Sequence, residues 1–263
     1  MPKLPEMLKI RVATVRSYPK KGDLERNGTR LLEILDRVAP QHPDVVVTPE
    51  CFLDGYMVTK PEVNRRTVRR YGIDPKESDI GKAVSAWAKE NQAWVILGCT
   101  RLLEKGASNS AVVYNRSGRY VGAYDKTHCR GHDQKFVVGN ELPVFKADFG
   151  KFGIVICADR RWPESIRTLA LKGAEVIFNP TYGQCDEKNK WVMRTRAWES
   201  ETPIVFTHPR QSLVLDAKGN VLIDETDPNT GYSVCEVNLT NVRKLRADKS
   251  SFLNQRRPDL YKL

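Results

Sequence analysis

Apolar residues recur along this chain in short runs bounded by Gly, Pro, Asn and Asp. Lys9–Val15 (KIRVATV) alternates and is β-branched, which predicts a strand. Asp23–Ala39 sets Leu24, Leu31, Leu32, Ile34, Leu35 and Val38 at helical spacing, and Pro40 stops it. Asp44–Val47 predicts a second strand that runs into Thr48-Pro49-Glu50. Ser78–Asn91 reads as a helix with Ser78 as its N-cap, and Ala93–Gly98 as a strand. Ser110–Asn115 and Arg119–Tyr124 bracket Arg-Ser-Gly, a hairpin pattern. Phe152–Cys157 is an apolar run of buried-strand type, and Pro163–Lys172 is a helix with Pro at its first position. A strand (Glu175–Phe178), a helix (Glu187–Glu201) and a strand (Pro203–Thr207) follow. Alternating runs at 211–216 and 220–224, then a strand at 231–238, close the pattern. No repeat, low-complexity tract or linker interrupts it. The mixture predicts an α/β fold of β-α-β units with added hairpins, one domain over 1–263, with both sheet faces covered.

Composition narrows the class. With 263 residues and 40% hydrophobic content the chain can offset its conformational entropy, so disorder is not expected. No run approaches the roughly 20 apolar residues of a membrane span. No apolar stretch follows the early Lys, so no secretory leader is read, and a cytoplasmic protein is expected. The six Cys, at 51, 99, 129, 157, 185 and 235, form no CxxC pair, which favours free thiols over structural zinc. The net charge of +11 is concentrated. Residues 60–70 hold five basic and one acidic residue, and residues 243–257 hold six and one. Only Tyr71 and Phe252 supply aromatics nearby, so a nucleic-acid partner is not expected. Solvated or interface segments, or attraction of small acidic molecules, account for the charge better.

Candidate chemistry lies at strand ends. Cys157 ends an apolar strand, and Ala158-Asp159-Arg160-Arg161-Trp162 leads into a helix. Strand, turn and helix N-terminus together favour a thiolate, and adjacent Arg would add to that, although a buried packing Cys fits the same pattern. Glu50 follows its strand through Thr48-Pro49 and could serve as a base, or be a surface Glu. Lys126 follows the strand Arg119–Tyr124 and could stabilise an oxyanion, or be a solvated loop cation.

Three motifs carry a resemblance: Thr48-Pro49-Glu50-Cys51-Phe52, Tyr124-Asp125-Lys126-Thr127-His128, and the run Gly153 to Glu164 around Cys157 (GIVICADRRWPE). In this order and spacing the chain resembles the nitrilase superfamily of carbon–nitrogen hydrolases over about residues 8–261, including the tail Arg256-Arg257-Pro258-Asp259-Leu260-Tyr261. The resemblance implies a four-layer α-β-β-α sandwich of two mixed sheets flanked by helices. It implies a homodimer or higher homo-oligomer, with the tail (about 240–263) in subunit contacts. It implies Glu50 as general base, Cys157 as nucleophile, and Lys126 with the Ala158 N–H as oxyanion donors, and it requires neither metal nor organic cofactor. Cys-Ala-Asp, where true nitrilases usually carry Cys-Trp-Glu, favours amide substrates. Asp159-Arg160-Arg161-Trp162-Pro163-Glu164 is similar to N-carbamoyl-amino-acid amidohydrolases, in which paired Arg bind the substrate carboxylate. Arg160 and Arg161 take those positions here, and His128 also matches that branch. Asn179 is expected either to line the pocket or to serve as a turn residue before Pro180.

One position departs from the pattern. Seven residues before Gly139, where members often carry a second Glu, stands His132, followed by Asp133. That carboxylate is therefore missing or replaced by Asp133. The expected substrate is a small linear amide or an N-carbamoyl (ureido) acid. The alternatives are an amidase for short aliphatic or ω-amides, or a catalytically altered member acting as a binding or assembly protein.

Overall fold

The computed structural model describes residues 8–227 and 230–261. Most of the stretch used to read a leader, and the last two residues of the tail, lie outside them. In chain order the first elements are β1 (Lys9–Val15), α1 (Leu24–Val38), β2 (Val45–Val47), α2 (Asp79–Glu90), β3 (Trp94–Leu102), β4 (Ala107–Tyr114) and β5 (Tyr120–Asp125). Then come β6 (Val144–Ala147), β7 (Gly150–Ile154), α3 (Pro163–Leu171), β8 (Val176–Pro180), α4 (Glu187–Glu199), β9 (Ile204–Thr207), β10 (Ser212–Leu215) and β11 (Val221–Glu225). Last are β12 (Tyr232–Asn238) and α5 (Leu239–Ala247).

The strands form two six-stranded sheets, ordered β12-β1-β2-β3-β4-β5 and β11-β10-β9-β8-β7-β6. β1, β2 and β3 run parallel and β4 and β5 return antiparallel. β7, β8 and β9 are parallel in the same way, followed by antiparallel β10 and β11. The two halves thus repeat one connectivity, β-α-β-α-β-β-β, although the residues show no repeat. Each sheet then gains one antiparallel strand beside its first, β12 against β1 and β6 against β7.

Strand alternation explains the layering. Val45 and Val47 point into the seam between the sheets with Ile10, Val12, Ile96, Ile154, Phe178 and Val205. Val46, Val95 and Leu97 point outward against Leu31, Ile34 and Leu35 of α1 and Val84 and Trp87 of α2. Ile177, Ile204 and Phe206 point outward from the second sheet against Ile166 and Leu169 of α3 and Met193 and Ala197 of α4. A strand buried on both faces reads as a continuous apolar run, which is why β2 is Val-Val-Val. Four layers result, helices, sheet, sheet, helices, as the resemblance implies.

Part of each basic segment is engaged with the fold itself. Arg65 donates to the Gln134 carbonyl at 3.1 Å, and Arg69 to those of Leu103 and Gly106 at 2.7 and 2.5 Å. Arg243 pairs with Glu175 at 2.5 Å, and Arg246 donates to the Ala174 carbonyl. The C-terminal segment also packs on its own chain: the Phe252 and Leu253 amides donate to Glu201. Among the described residues no helix is long and apolar enough to cross a membrane.

Candidate active site

Glu50, Lys126 and Cys157 each follow a strand; Glu50 and Lys126 bond each other, and Cys157 lies near enough to feel both charges. Glu50 follows β2 on a loop that crosses directly over β3. A Cβ at Gly98 would lie 2.1 Å from the Pro49 carbonyl oxygen, so only glycine admits that crossing. The Gly98 N–H donates to Thr48 Oγ1, and the Phe52 N–H to the Gly98 carbonyl, each at 2.8 Å. Glu50 is fully buried. Its Oε1 accepts from Lys126 Nζ at 2.7 Å and Asn109 Nδ2 at 2.8 Å, and its Oε2 accepts from the Tyr182 N–H at 2.9 Å.

Lys126, 1% exposed, follows β5. Its second partner is Asp133 Oδ2 at 2.5 Å, and Asp133 Oδ1 accepts from Tyr56 OH at 2.7 Å. A second carboxylate, that of Asp133, thus stands against Lys126 beside Glu50. Gly131–Lys135 forms a 3₁₀ turn that aims Asp133 inward, while His132 stays half-exposed with Nε2 3.1 Å from Tyr56 OH. Burial alone would push the Lys126 ammonium down. Glu50, then Cys157 and Asp133, outweigh it and hold the group well above the usual lysine range.

Cys157 opens a 3₁₀ turn between β7 and α3, with φ at +45°. A non-glycine residue in the left-handed region carries strain of about 1–2 kcal/mol, and such strain concentrates at functional turns. Burial pushes the thiol up and Glu50 adds to this, whereas Lys126, Arg160 and the backbone of Gly183 pull it down. The neighbouring Asp159 carboxylate is fully buried. It accepts from the Ile156 N–H, the His128 N–H and Tyr124 OH at 2.8, 2.9 and 2.7 Å, and so ties the Cys157 turn to the Lys126 segment.

The remaining expected residues are distributed differently. Ala158 is partly buried on the same turn as Cys157. Arg160 is turned into the protein. It is 2% exposed, and its guanidinium donates to Asn189 Oδ1, the Cys157 carbonyl and the Gln184 carbonyl at 2.5, 2.5 and 2.7 Å over the Phe206 ring. A fork that suits a carboxylate also suits converging carbonyls, and here it holds those of Cys157 and Gln184. Arg161 is exposed and touches Gln184 Oε1 at 3.2 Å. His128 stacks on Trp162, with ring centroids 4.1 Å apart, and its Nδ1 is 2.8 Å from Asp159. It borders a cavity of about 790 Å³, with Asn140, Glu141, Trp162 and Thr168, that none of Glu50, Lys126 or Cys157 lines. Asn179 lies within β8, not in a turn, fully buried, with Nδ2 on the Val155 carbonyl at 2.9 Å and no partner for Oδ1 among the described residues. Among the described residues no group of three or more His, Cys, Asp or Glu could hold a metal.

Sequence reasoning missed Asn109, Tyr56 and Tyr182. Ser108-Asn109-Ser110 inside a wholly buried strand was a usable signal, since polar groups in such places need partners. Tyr182 acts through its backbone, which leaves no side-chain signature.

Comparison with known proteins places the chain among relatives of similar length and fold. A family model described as carbon-nitrogen hydrolase matches residues 11–247. A probable nitrilase of Schizosaccharomyces pombe is 26% identical, covering 97% of this chain and 98% of its own. An N-carbamoylputrescine amidase of Arabidopsis thaliana is 26% identical over 80% of this chain and 77% of its own. The crystal structure of a carbon-nitrogen hydrolase from Helicobacter pylori superposes with a TM-score of 0.81 at 22% identity, covering 96% of this chain and 97% of that one.

Proposed function

The chain belongs to the carbon–nitrogen hydrolase family of the nitrilase superfamily and is an amide-acting hydrolase; from that premise we propose that it is a thiol amidohydrolase using Cys157, Glu50 and Lys126. The observation that carries the reading is the buried Lys126 ammonium held between Glu50 and Asp133 while acting electrostatically on Cys157. Asp133 balances the Lys126 charge, which leaves Glu50 to take the thiol proton. The thiolate then attacks the carbonyl carbon. Charge developing on the oxygen is met by the Lys126 ammonium and the Ala158 N–H, donors of a kind worth roughly 3 kcal/mol each. Collapse expels ammonia, protonated from Glu50, and leaves an S-acyl or S-carbamoyl enzyme. Water, deprotonated by Glu50, hydrolyses that intermediate and frees the thiol. No step calls for a metal or organic cofactor.

The substrate is a small linear amide or an N-carbamoyl acid, and Cys-Ala-Asp after the strand supports an amide over a nitrile. An assay of ammonia release across ureido acids, short amides and nitriles tests this. Turnover of the first two classes and none of the third is expected, and turnover of nitriles alone would sink the proposal.

Arg160→Ala separates bracing from clamping. Loss of its buried charged hydrogen bonds is expected to destabilise the fold by about 3 kcal/mol. It is also expected to lower kcat for neutral and carboxylate-bearing substrates alike. A rise in KM confined to carboxylate substrates would return Arg160 to the substrate pocket. Arg161, the exposed member of the pair, is the remaining candidate for a substrate carboxylate. Self-association is also proposed, supported by Trp191 and Trp198 exposed on α4 and by Leu171 at the end of α3.

A further inference from the structure

One peptide plane links the candidate nucleophile to a buried imidazole. After β8 the chain passes through Thr181, Tyr182 and Gly183 beside the Cys157 turn. The Tyr182 N–H faces Glu50 Oε2 at 2.9 Å. The Gly183 backbone lies against the Cys157 sulfur and pulls the thiol toward the thiolate, the sense in which a facing N–H acts. A Cβ at Gly183 would stand 3.3 Å from Sγ. The carbonyl of that same peptide, Tyr182 O, points the opposite way because the bond is trans. It lies 3.0 Å from His208 Nε2.

The imidazole has a single tautomer that satisfies both neighbours. His208 Nδ1 is 3.0 Å from the Arg210 backbone nitrogen, which can only donate. Nδ1 therefore accepts, and the proton sits on Nε2, aimed at the Tyr182 carbonyl. The ring is 3% exposed on the turn between β9 and β10, parallel to Phe206, with Tyr18 edge-on. The charged and titratable groups around it are Tyr18, Tyr182, Arg160, Arg210 and Glu50. Burial, partly opposed by the Tyr182 and Gly183 backbone and reinforced by Arg160, lowers its affinity for a second proton. An imidazolium would set an N–H against the Arg210 N–H, so only the neutral ring makes both bonds.

We propose that His208 is a positioning residue for the hydrolysis: its Nε2–H orients and polarises the Tyr182–Gly183 peptide, and through it the Gly183 amide beside the Cys157 sulfur. Hydrogen bonds in series strengthen one another, so the donor at one end of this plane acts on the thiolate at the other. The inference rests on Cys157 being the nucleophile.

The test compares His208→Leu, which has no donor, with His208→Gln, which carries an amide N–H at the same reach. Both are checked for folding by circular dichroism. The rate of inactivation by iodoacetamide is then followed against pH, beside kcat and KM. The Leu variant is expected to show a midpoint about one pH unit higher and kcat about tenfold lower, with KM little changed. The Gln variant is expected to restore most of both. If the Leu variant does not fold, the Gln variant decides: having no titrating ring, it should hold its kcat to lower pH than the parent, and coincident acid limbs overturn the proposal. Coincident inactivation midpoints in parent and folded Leu variant overturn it as well. Cys157→Ala, assayed in parallel, keeps the two readings apart. Activity in that variant removes the nucleophile assignment itself, whereas an inactive Cys157→Ala with unmoved His208 variants removes only His208.

Discussion

Cys157→Ala is expected to abolish ammonia release from amide and ureido substrates, a fall of about 10⁶ in kcat by comparison with removal of other enzymatic nucleophiles. The size follows from the covalent route: without sulfur no acyl-enzyme forms, and Glu50 has no acidic partner to deprotonate. The fold should be little affected, because the change removes one atom from a turn whose φ of +45° is held by Asp159 and Arg160 from outside the side chain. Thermal melting close to that of the parent is therefore the expected accompaniment. Cys235→Ala, on β12 and remote from the site, should retain full activity. Appreciable turnover by a folded Cys157→Ala protein would overturn the thiol mechanism.

Lys126→Met is expected to damage both activity and stability. Removing an oxyanion donor lowers kcat by about 10²–10³. The second effect arises because Glu50 and Asp133 both depend on the same ammonium, at 2.7 and 2.5 Å, in a place water does not reach. Deleting one partner of a buried pair commonly destabilises by about 3–5 kcal/mol, since an uncompensated charge remains. Here the two carboxylates are left without their shared cation, so the variant must take up a proton on one of them. Chemical denaturation at two pH values reads this directly: Lys126→Met should recover part of its lost stability as pH falls, because protonation relieves the repulsion. Adding Asp133→Asn should restore stability without restoring kcat. If Lys126→Met were as stable as the parent at all pH values, the buried triad of charges would not be the organising feature assigned to it.

Much of the fold was legible because periodicity survives burial. β1 appears at the residues its alternation predicts, and α1, α2, α3 and α4 fall within a residue or two of their expected bounds. β6 was missed because a four-residue edge strand has too few positions to alternate. α5 was missed because Arg243, Lys244 and Arg246 dominate a nine-residue helix whose buried face is only Leu239, Thr240 and Val242. The repeated connectivity of the halves was invisible because it resides in strand order, and different residues satisfy the same packing in each half.

The site divides along the same line. Glu50, Lys126 and Cys157 were singled out through local motifs at strand ends, and Lys126 does bond Glu50. The inward turn of Arg160 was not legible because adjacency in sequence does not say which way a 3₁₀ turn aims a side chain. Asp133 was ambiguous because it sits one residue beyond the expected position, and only the turn at Gly131–Lys135 brings it inward. His208 and the Tyr182 amide act through contacts between distant segments, and no local pattern carries that information.

The pairing of β1 with β12 bears on how the protein is made. Its register joins Lys9 to Asn238 and Val15 to Tyr232, so the first sheet keeps an open edge until synthesis has reached residues 232–238. At roughly 5–20 residues per second, the ribosome leaves that edge unpaired for ten seconds or more. During that interval β1 is a long-range partner in waiting, beside a valine-rich β2 that can template other chains. The nascent chain should therefore lean on chaperones most between emergence of β2 and completion of β12, and truncation before residue 232 should yield aggregate in place of a smaller folded enzyme.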